Sequence, residues 1–185
     1  MLNEIQTDAE SRMKKTIEAV KGDLSGIRSG KATPALLDSV KVEAYGQMTP
    51  LNQLGSISVP DPKSLLVQPW DKSIIKDVVK AIQTAELGLN PQAESNLIRI
   101  PIPPLSEERR GELVKLCKKM AEDGRVAIRN IRRDANDKLK KAEKNKKVSE
   151  DQMHDGIDNI QKATDKFIKE IDELVEAKEK DIMSV

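Results

Sequence analysis

All nine prolines of this 185-residue chain fall between residues 34 and 104, and none lies outside that interval. Proline removes a backbone donor and clashes with the preceding turn, so helix interiors exclude it. The confinement leaves two proline-free flanks that are able to form long helices and a middle segment that is not. The middle reads as short β-like runs at 40–45, 56–59, 65–67 and 97–102. Ile98, Ile100 and Ile102 alternate with Arg99 and Pro101, the period of a half-buried strand, with Pro101 marking an edge or a strand end. One helix is expected from Ser73 to about Glu86, with Val78, Val79 and Ile82 inward and Gly88 and Pro91 at its exit.

The flanks carry helical periodicity. Ile5, Ala9, Met13, Val20, Leu24 and Ile27 recur at three- and four-residue steps with Ile17 beside them, and Gly30 ends the pattern as a helix C-terminal glycine would. After Pro103-Pro104, Ser106 is placed to cap a helix whose first turn holds Glu107 and Glu108. That helix is expected to run to about Lys144, roughly 60 Å at 1.5 Å per residue. A break follows at 144–147. Ser149 and Gln152 then form a capping box, flanked by Val148 and Met153 as a hydrophobic staple. The last helix carries Ile157, Ile160, Thr164, Phe167, Ile171 and Leu174 at near-heptad spacing. The expected fold is α+β: residues 1–30 and 105–185 form an elongated antiparallel three-helix bundle, and residues 31–104 form an inserted small β/α/β domain. The two crossings, at Gly30-Lys31 and Pro103-Pro104-Leu105, are thin and adjacent, which makes a natural hinge.

Charge is segregated beneath a neutral total of 32 basic and 31 acidic residues. Residues 105–147 hold fifteen basic and eight acidic groups, while residues 148–185 hold five basic and eleven acidic. Within the basic segment the arginines are arranged. At 100° per residue Arg125, Arg129 and Arg132 share one narrow stripe with Lys118, with Arg133 and Lys140 beside it and Val114 interrupting it one turn before Lys118. Roughly opposite, Leu113, Leu116, Met120, Ala127, Ile128, Ile131 and Ala135 form the expected packing face. Asp134 and Asp137 lie off the stripe, where they are placed to hold arginines by pairing. A charged helical run is ordinarily a solvated face. Here the surplus is local and mainly arginine, whose planar bidentate guanidinium suits phosphate oxygens and base edges.

Catalytic chemistry has little to work with. The single histidine, His154, lies in an acidic helix, and the single cysteine, Cys117, has no histidine nearby in sequence. No Cys/His cluster has metal-ligand spacing, so neither metal nor cofactor is expected. Residues 26–32 superficially resemble a phosphate-binding loop, but three residues instead of four separate the glycines and Ala32 replaces the hydroxyl residue that would hold magnesium. One cysteine permits no internal disulfide, the apolar runs are too short to span a bilayer, and the acidic N-terminus is a poor transit peptide. A cytoplasmic chain without a membrane span is expected. Aromatics at 2% disfavour RNA-binding modes built on stacking platforms.

The motifs then converge. The runs Ile27-Arg28-Ser29-Gly30-Lys31-Ala32-Thr33-Pro34-Ala35-Leu36-Leu37, Leu87-Gly88-Leu89-Asn90-Pro91 and Ile98-Arg99-Ile100-Pro101-Ile102-Pro103-Pro104-Leu105-Ser106-Glu107-Glu108-Arg109-Arg110, with 125–138, together resemble the bacterial ribosome recycling factor family over essentially the whole chain. Departures are mild: Lys31 stands where the family usually has arginine, and Ala44 precedes Tyr45-Gly46 where a second tyrosine is common. The resemblance implies an L-shaped monomer of tRNA-like outline that binds large-subunit rRNA after peptide release. With elongation factor G and GTP, it implies dissociation of the post-termination ribosome into subunits. It carries rRNA binding onto Arg129, Arg132 and Arg133, with Arg110, Arg125 and Arg28 in or near the same region, and implies no covalent chemistry. Two other readings remain open on the residues alone: a helical adaptor that binds protein, and a hydrolase using Cys117 or His154.

Overall fold

The computed structural model describes residues 1–184. In chain order its elements are α1 (Leu2–Ser25), β1 (Lys41–Ala44), β2 (Gln47–Pro50), β3 (Gly55–Asp61), β4 (Ser64–Pro69), α2 (Ile75–Thr84), β5 (Gln92–Ala93), β6 (Ile98–Pro101), α3 (Glu107–Lys144) and α4 (Glu150–Met183). They divide into two compact units, Met1–Ser29 with Glu107–Val185, and Gly30–Ser106.

In the first unit α1, α3 and α4 pack against one another. From α1 come Ala9, Met13, Ile17, Val20 and Leu24, with Ile27 just beyond it, and from α4 come Ile160, Ala163, Phe167, Ile171, Val175 and Ile182. The buried Thr164 hydroxyl donates to the Ile160 carbonyl at 2.8 Å, which satisfies a polar atom in the core. The capping box expected from the sequence is realised in full, and the break at 144–147 takes a defined form. Ser149 Oγ accepts from the Gln152 backbone at 3.1 Å while Gln152 Oε1 accepts from the Ser149 backbone at 2.9 Å, the reciprocal box that starts α4. At the end of α3 the Lys147 N–H donates to the Ala142 carbonyl at 2.9 Å and the Lys146 N–H to Glu143 at 2.8 Å, a Schellman stop with Lys146 at φ 55.

Two expectations for this unit are corrected. Helix α1 ends at Ser25 and its last cap is Gly26 in right-handed geometry, so Gly30 is not its terminator. Gly30 instead lies four residues later at φ 79, where an added Cβ would come 2.9 Å from Leu105 Cγ. The buried face of α3 is also rotated. Leu113, Cys117, Ala121, Gly124, Ile128, Ile131, Ala135, Leu139 and Ala142 are buried, whereas Leu116 is exposed and Met120 and Ala127 are half-buried. The reason is close approach. An added Cβ on Gly124 would lie 2.6 Å from Val20 Cγ2 and 3.2 Å from Ile171 Cδ1, so the three helices converge where α3 has no side chain. Small residues win this face over larger apolar ones because they let the backbones meet.

In the second unit β3, β4, β6 and β5 form a four-stranded antiparallel sheet in that order, and β1 pairs with β2 as a separate hairpin. The core gathers Val42, Leu65, Val67, Ile98 and Ile100 from strands with Val78 and Ile82 from α2. Strands β2 and β5 went unread in the sequence. The β1–β2 turn is Tyr45-Gly46, at φ 53 and 77, a two-residue hairpin turn written without the usual Asn-Gly or Asp-Gly signal. The expected 73–86 helix is shorter and begins with a 3₁₀ turn at Lys72–Ile74, because the Asp71 carboxylate accepts from the Ser73 N–H at 2.9 Å. Val78 and Ile82 are fully buried, and Val79 is half-buried and packs against the same core. Both chain crossings are tied to one turn of this unit: the Ala32 N–H donates to the Pro62 carbonyl at 2.8 Å and the Ile102 N–H to Lys63 at 2.7 Å.

Candidate nucleic-acid interface

The arginines at 125, 129, 132 and 133 occupy a little over two turns of α3, so they lie within about 12 Å along its axis. Arg110 belongs to the first turn, about 22 Å from Arg125 along the same axis. Arg28 is exposed beyond the end of α1. The ion pairs Arg12–Asp134 at 3.1 Å and Lys138–Asp8 at 3.4 Å set α1 antiparallel to α3, so Arg28 lies toward the Arg110 end. The structure thus brings together four of the six arginines named from sequence and sets the other two apart.

The cluster does not sit opposite the packing face. The rotation of α3 brings the buried line to roughly 100° from Arg125, Arg129 and Arg132, so the stripe flanks the core on the side of α4. Arg125 shows the consequence. Its side chain is 22% exposed, its Nε donates to Asp172 Oδ1 of α4 at 2.8 Å, its Nη2 is ion-paired with the same oxygen at 2.6 Å, and its Nη1 donates to Glu122 at 3.2 Å. Burial acts to lower its pKa, but the hydrogen bonds it donates to Asp172 and Glu122, with their negative charges, outweigh that and shift it upward. Every nitrogen of this guanidinium is engaged within the protein, which makes Arg125 a brace between α3 and α4.

Arg129 is different. Its Nη1 donates to Glu122 Oε1 at 3.3 Å and its side chain is 41% exposed. Glu122 thereby bridges two arginines one turn apart. Hydrogen bonds from Arg125 and then Arg129 hold its carboxyl below the ordinary range. Arg132 is half-buried and Arg133 exposed, and neither makes an ion pair among the described residues. One turn beyond Arg132, the buried Asn136 Oδ1 has no hydrogen-bond partner, and at the first turn Arg110 Nε likewise has none. The carboxylates that hold the stripe are therefore Glu122 and Asp172. Asp134 turns instead to Arg12 of α1.

The catalytic candidates are placed unhelpfully for chemistry. Cys117 is buried in the bundle, and burial pushes its thiol up. His154 is exposed, with Nε2 3.7 Å from Glu150. A second feature escaped the sequence reading: two of the chain's three aromatic side chains are displayed on the smaller unit, Tyr45 at 71% and Trp70 at 73% exposure. The Tyr45 hydroxyl donates to Asp71, next to Trp70, which raises the phenol pKa and lowers that of the carboxyl. Periodicity had no means of showing this, since both residues lie at turns.

Residues 20–183 match the ribosome recycling factor family, a span that includes α3, α4 and the whole inserted unit. The chain belongs to the ribosome recycling factor family. It is 55% identical to the ribosome-recycling factor of Symbiobacterium thermophilum over 185 residues, covering 100% of each chain. Among solved structures it is similar to a solution structure of a ribosome recycling factor, with 45% identity, a TM-score of 0.76 and coverage of 100% of this chain and 98% of that one. It is also similar to the T. thermophilus ribosome recycling factor in models with E. coli elongation factor G bound to the E. coli post-termination complex. There the identity is 47%, the TM-score 0.65 and the coverage 100% of both chains. No helix among the described residues is long and apolar enough to cross a membrane.

Proposed function

We propose that this member of the ribosome recycling factor family binds large-subunit rRNA through the α3 face made by Arg129, Arg132 and Arg133. Acting with elongation factor G and GTP, it dissociates the post-termination ribosome into subunits. The observation that carries the RNA part is the state of these guanidiniums. Among the described residues Arg132 and Arg133 have no ion pair, and Arg129 keeps donors in reserve, in a segment of strong local positive charge. A-form RNA presents phosphates and 2′-hydroxyls across a shallow groove, and forked donors along a rigid rod suit that surface. Arg110 and Arg28 extend the basic surface toward the other end of the bundle. The recycling part rests on family membership and on the post-termination assembly of the T. thermophilus relative.

The reading assigns no covalent step to this chain. The raised thiol of Cys117 keeps it protonated and un-nucleophilic at neutral pH. GTP hydrolysis belongs to elongation factor G, and this chain contributes binding and displacement. The smaller unit moves about a hinge at Gly30, Lys31, Pro103, Pro104 and Leu105. Support for this comes from the backbone: beyond the anchored Ala32 and Ile102, each crossing is only a few residues of irregular chain.

The deciding experiment is subunit splitting of post-termination ribosomes with elongation factor G and GTP, followed by light scattering. Splitting should require this protein, and Arg132→Ala with Arg133→Ala should abolish most of it. Full activity of that double variant at limiting protein would refute the α3 face as the RNA-binding surface.

A further inference from the structure

A carboxylate in the middle of a phosphate-binding face is a puzzle, because a fixed negative charge repels the ligand. Glu122 occupies that position, level with Arg125 and Arg129 on the same side of α3. Its two oxygens are divided: Oε2 accepts from Arg125 Nη1 at 3.2 Å and Oε1 from Arg129 Nη1 at 3.3 Å. Arg125 has its Nε–Nη2 edge, the fork that makes parallel hydrogen bonds to an anion, closed by Asp172. Arg129 has the same edge without a partner among the described residues, at 41% exposure.

Resting on the reading of this face as the RNA-binding surface, we propose that Glu122 is a positioning residue for it: its carboxylate holds Arg129 by Nη1 and thereby presents the Nε–Nη2 fork to an RNA phosphate. A free arginine samples many rotamers along a flexible stem and loses that freedom when it binds. Tethering one nitrogen beforehand removes part of the loss without using the fork. Arg125 and Asp172 complete the device by holding Glu122 itself from the side of α4. The hydrogen bonds from Arg125 and Arg129 also favour the ionised form of the Glu122 carboxyl, lowering its pKa from the ordinary value.

The sign of one substitution separates this from simple electrostatics. Removing a negative charge from a basic face should tighten binding to any RNA. Positioning predicts the reverse for the fitted partner. Binding of Glu122→Ala should be measured to purified large ribosomal subunits and to poly(U), a polyanion with no fitted surface. Subunit affinity should fall roughly three- to tenfold, the ordering cost of one long side chain, while poly(U) binding tightens. Glu122→Gln retains an acceptor oxygen and should recover most of the subunit affinity. In an Arg129→Ala background, Glu122→Ala should cause no further loss. Independently of binding, the Arg129 Nε–Hε resonance should show fast averaging in Glu122→Ala and restriction in the parent.

Tighter subunit binding by Glu122→Ala, or an equal loss with Arg129 absent, would overturn the positioning role and leave the RNA-binding face intact. Unchanged subunit affinity in Arg132→Ala with Arg133→Ala would overturn both. Glu122 is solvent-accessible with a side chain 55% exposed, so its variants should fold, which circular dichroism checks directly.

Discussion

Glycine to alanine, made at three helical positions, should change stability with a sign that the surroundings alone decide. Gly22 in α1 and Gly111 in α3 have nothing within 4 Å of an added Cβ, and both are exposed. At each the substitution gains helix propensity and reduces the freedom of the unfolded chain, worth up to about 1 kcal/mol. Gly124 makes the same propensity gain but would set its Cβ 2.6 Å from Val20 Cγ2 and 3.2 Å from Ile171 Cδ1. Ordinary carbon contacts are about 3.5–4.0 Å, so one methyl group must move by about 1 Å. Val20 is β-branched and stiff within α1, and it is buried, so backbone displacement has to supply most of that movement. Overpacking of this kind costs about 1–3 kcal/mol, which leaves Gly124→Ala destabilised by about 1–2 kcal/mol after the propensity gain. The assay is urea unfolding of the bundle followed by circular dichroism at 222 nm. The cross-check is Val20→Ala, which removes the clashing methyl. The double variant should be more stable than the sum of the single effects predicts, with a coupling of about 1 kcal/mol. If Gly124→Ala stabilises as Gly22→Ala does, the convergence of three helices at this point is not tight, and the explanation for the rotated face of α3 falls with it.

Further outcomes follow from the same contacts. Arg125→Ala should lower the stability of the bundle by about 1 kcal/mol through loss of the Asp172 bridge and the buried stem, with little change in the salt dependence of ribosome binding. Arg132→Ala should do the reverse, lowering the log–log salt slope by about 0.7–0.9 per lost phosphate contact. Gly30→Ala places a side chain at φ 79 and against Leu105, and should cost about 1–2 kcal/mol in thermal unfolding of the smaller unit. Lys146→Gly relieves a left-handed residue in the α3 stop and should stabilise the bundle by about 1 kcal/mol. The lowered pKa of Glu122 means that its stabilising effect is present above about pH 4.3, the ordinary glutamate value, and is lost as pH falls through the lowered one. The stability gap between the parent and Glu122→Gln should therefore close on acidification, and a gap that widens would contradict the assignment.

Local chemistry was enough to read much of this protein. Proline confinement separates helix-forming flanks from a β-containing insertion because a missing N–H acts on the turn in which it occurs. The capping box at Ser149 and Gln152 and the apolar period of α1 are equally local, as are the motif runs that carry the family resemblance. Strands β2 and β5 were harder to see: each is short, and one follows a Tyr-Gly turn of uncommon composition. Tertiary structure alone decided which side of α3 is buried and which arginines remain available. Leu116 and Met120 look like core in a single helix, yet Cys117, Ala121 and Gly124 take that place because three backbones approach most closely where side chains are smallest. The fate of Arg125 likewise depends on Asp172, 47 residues away in sequence on another helix. A guanidinium becomes a brace or a ligand-binding fork according to the carboxylate that packing brings beside it, and no periodicity within α3 contains that information.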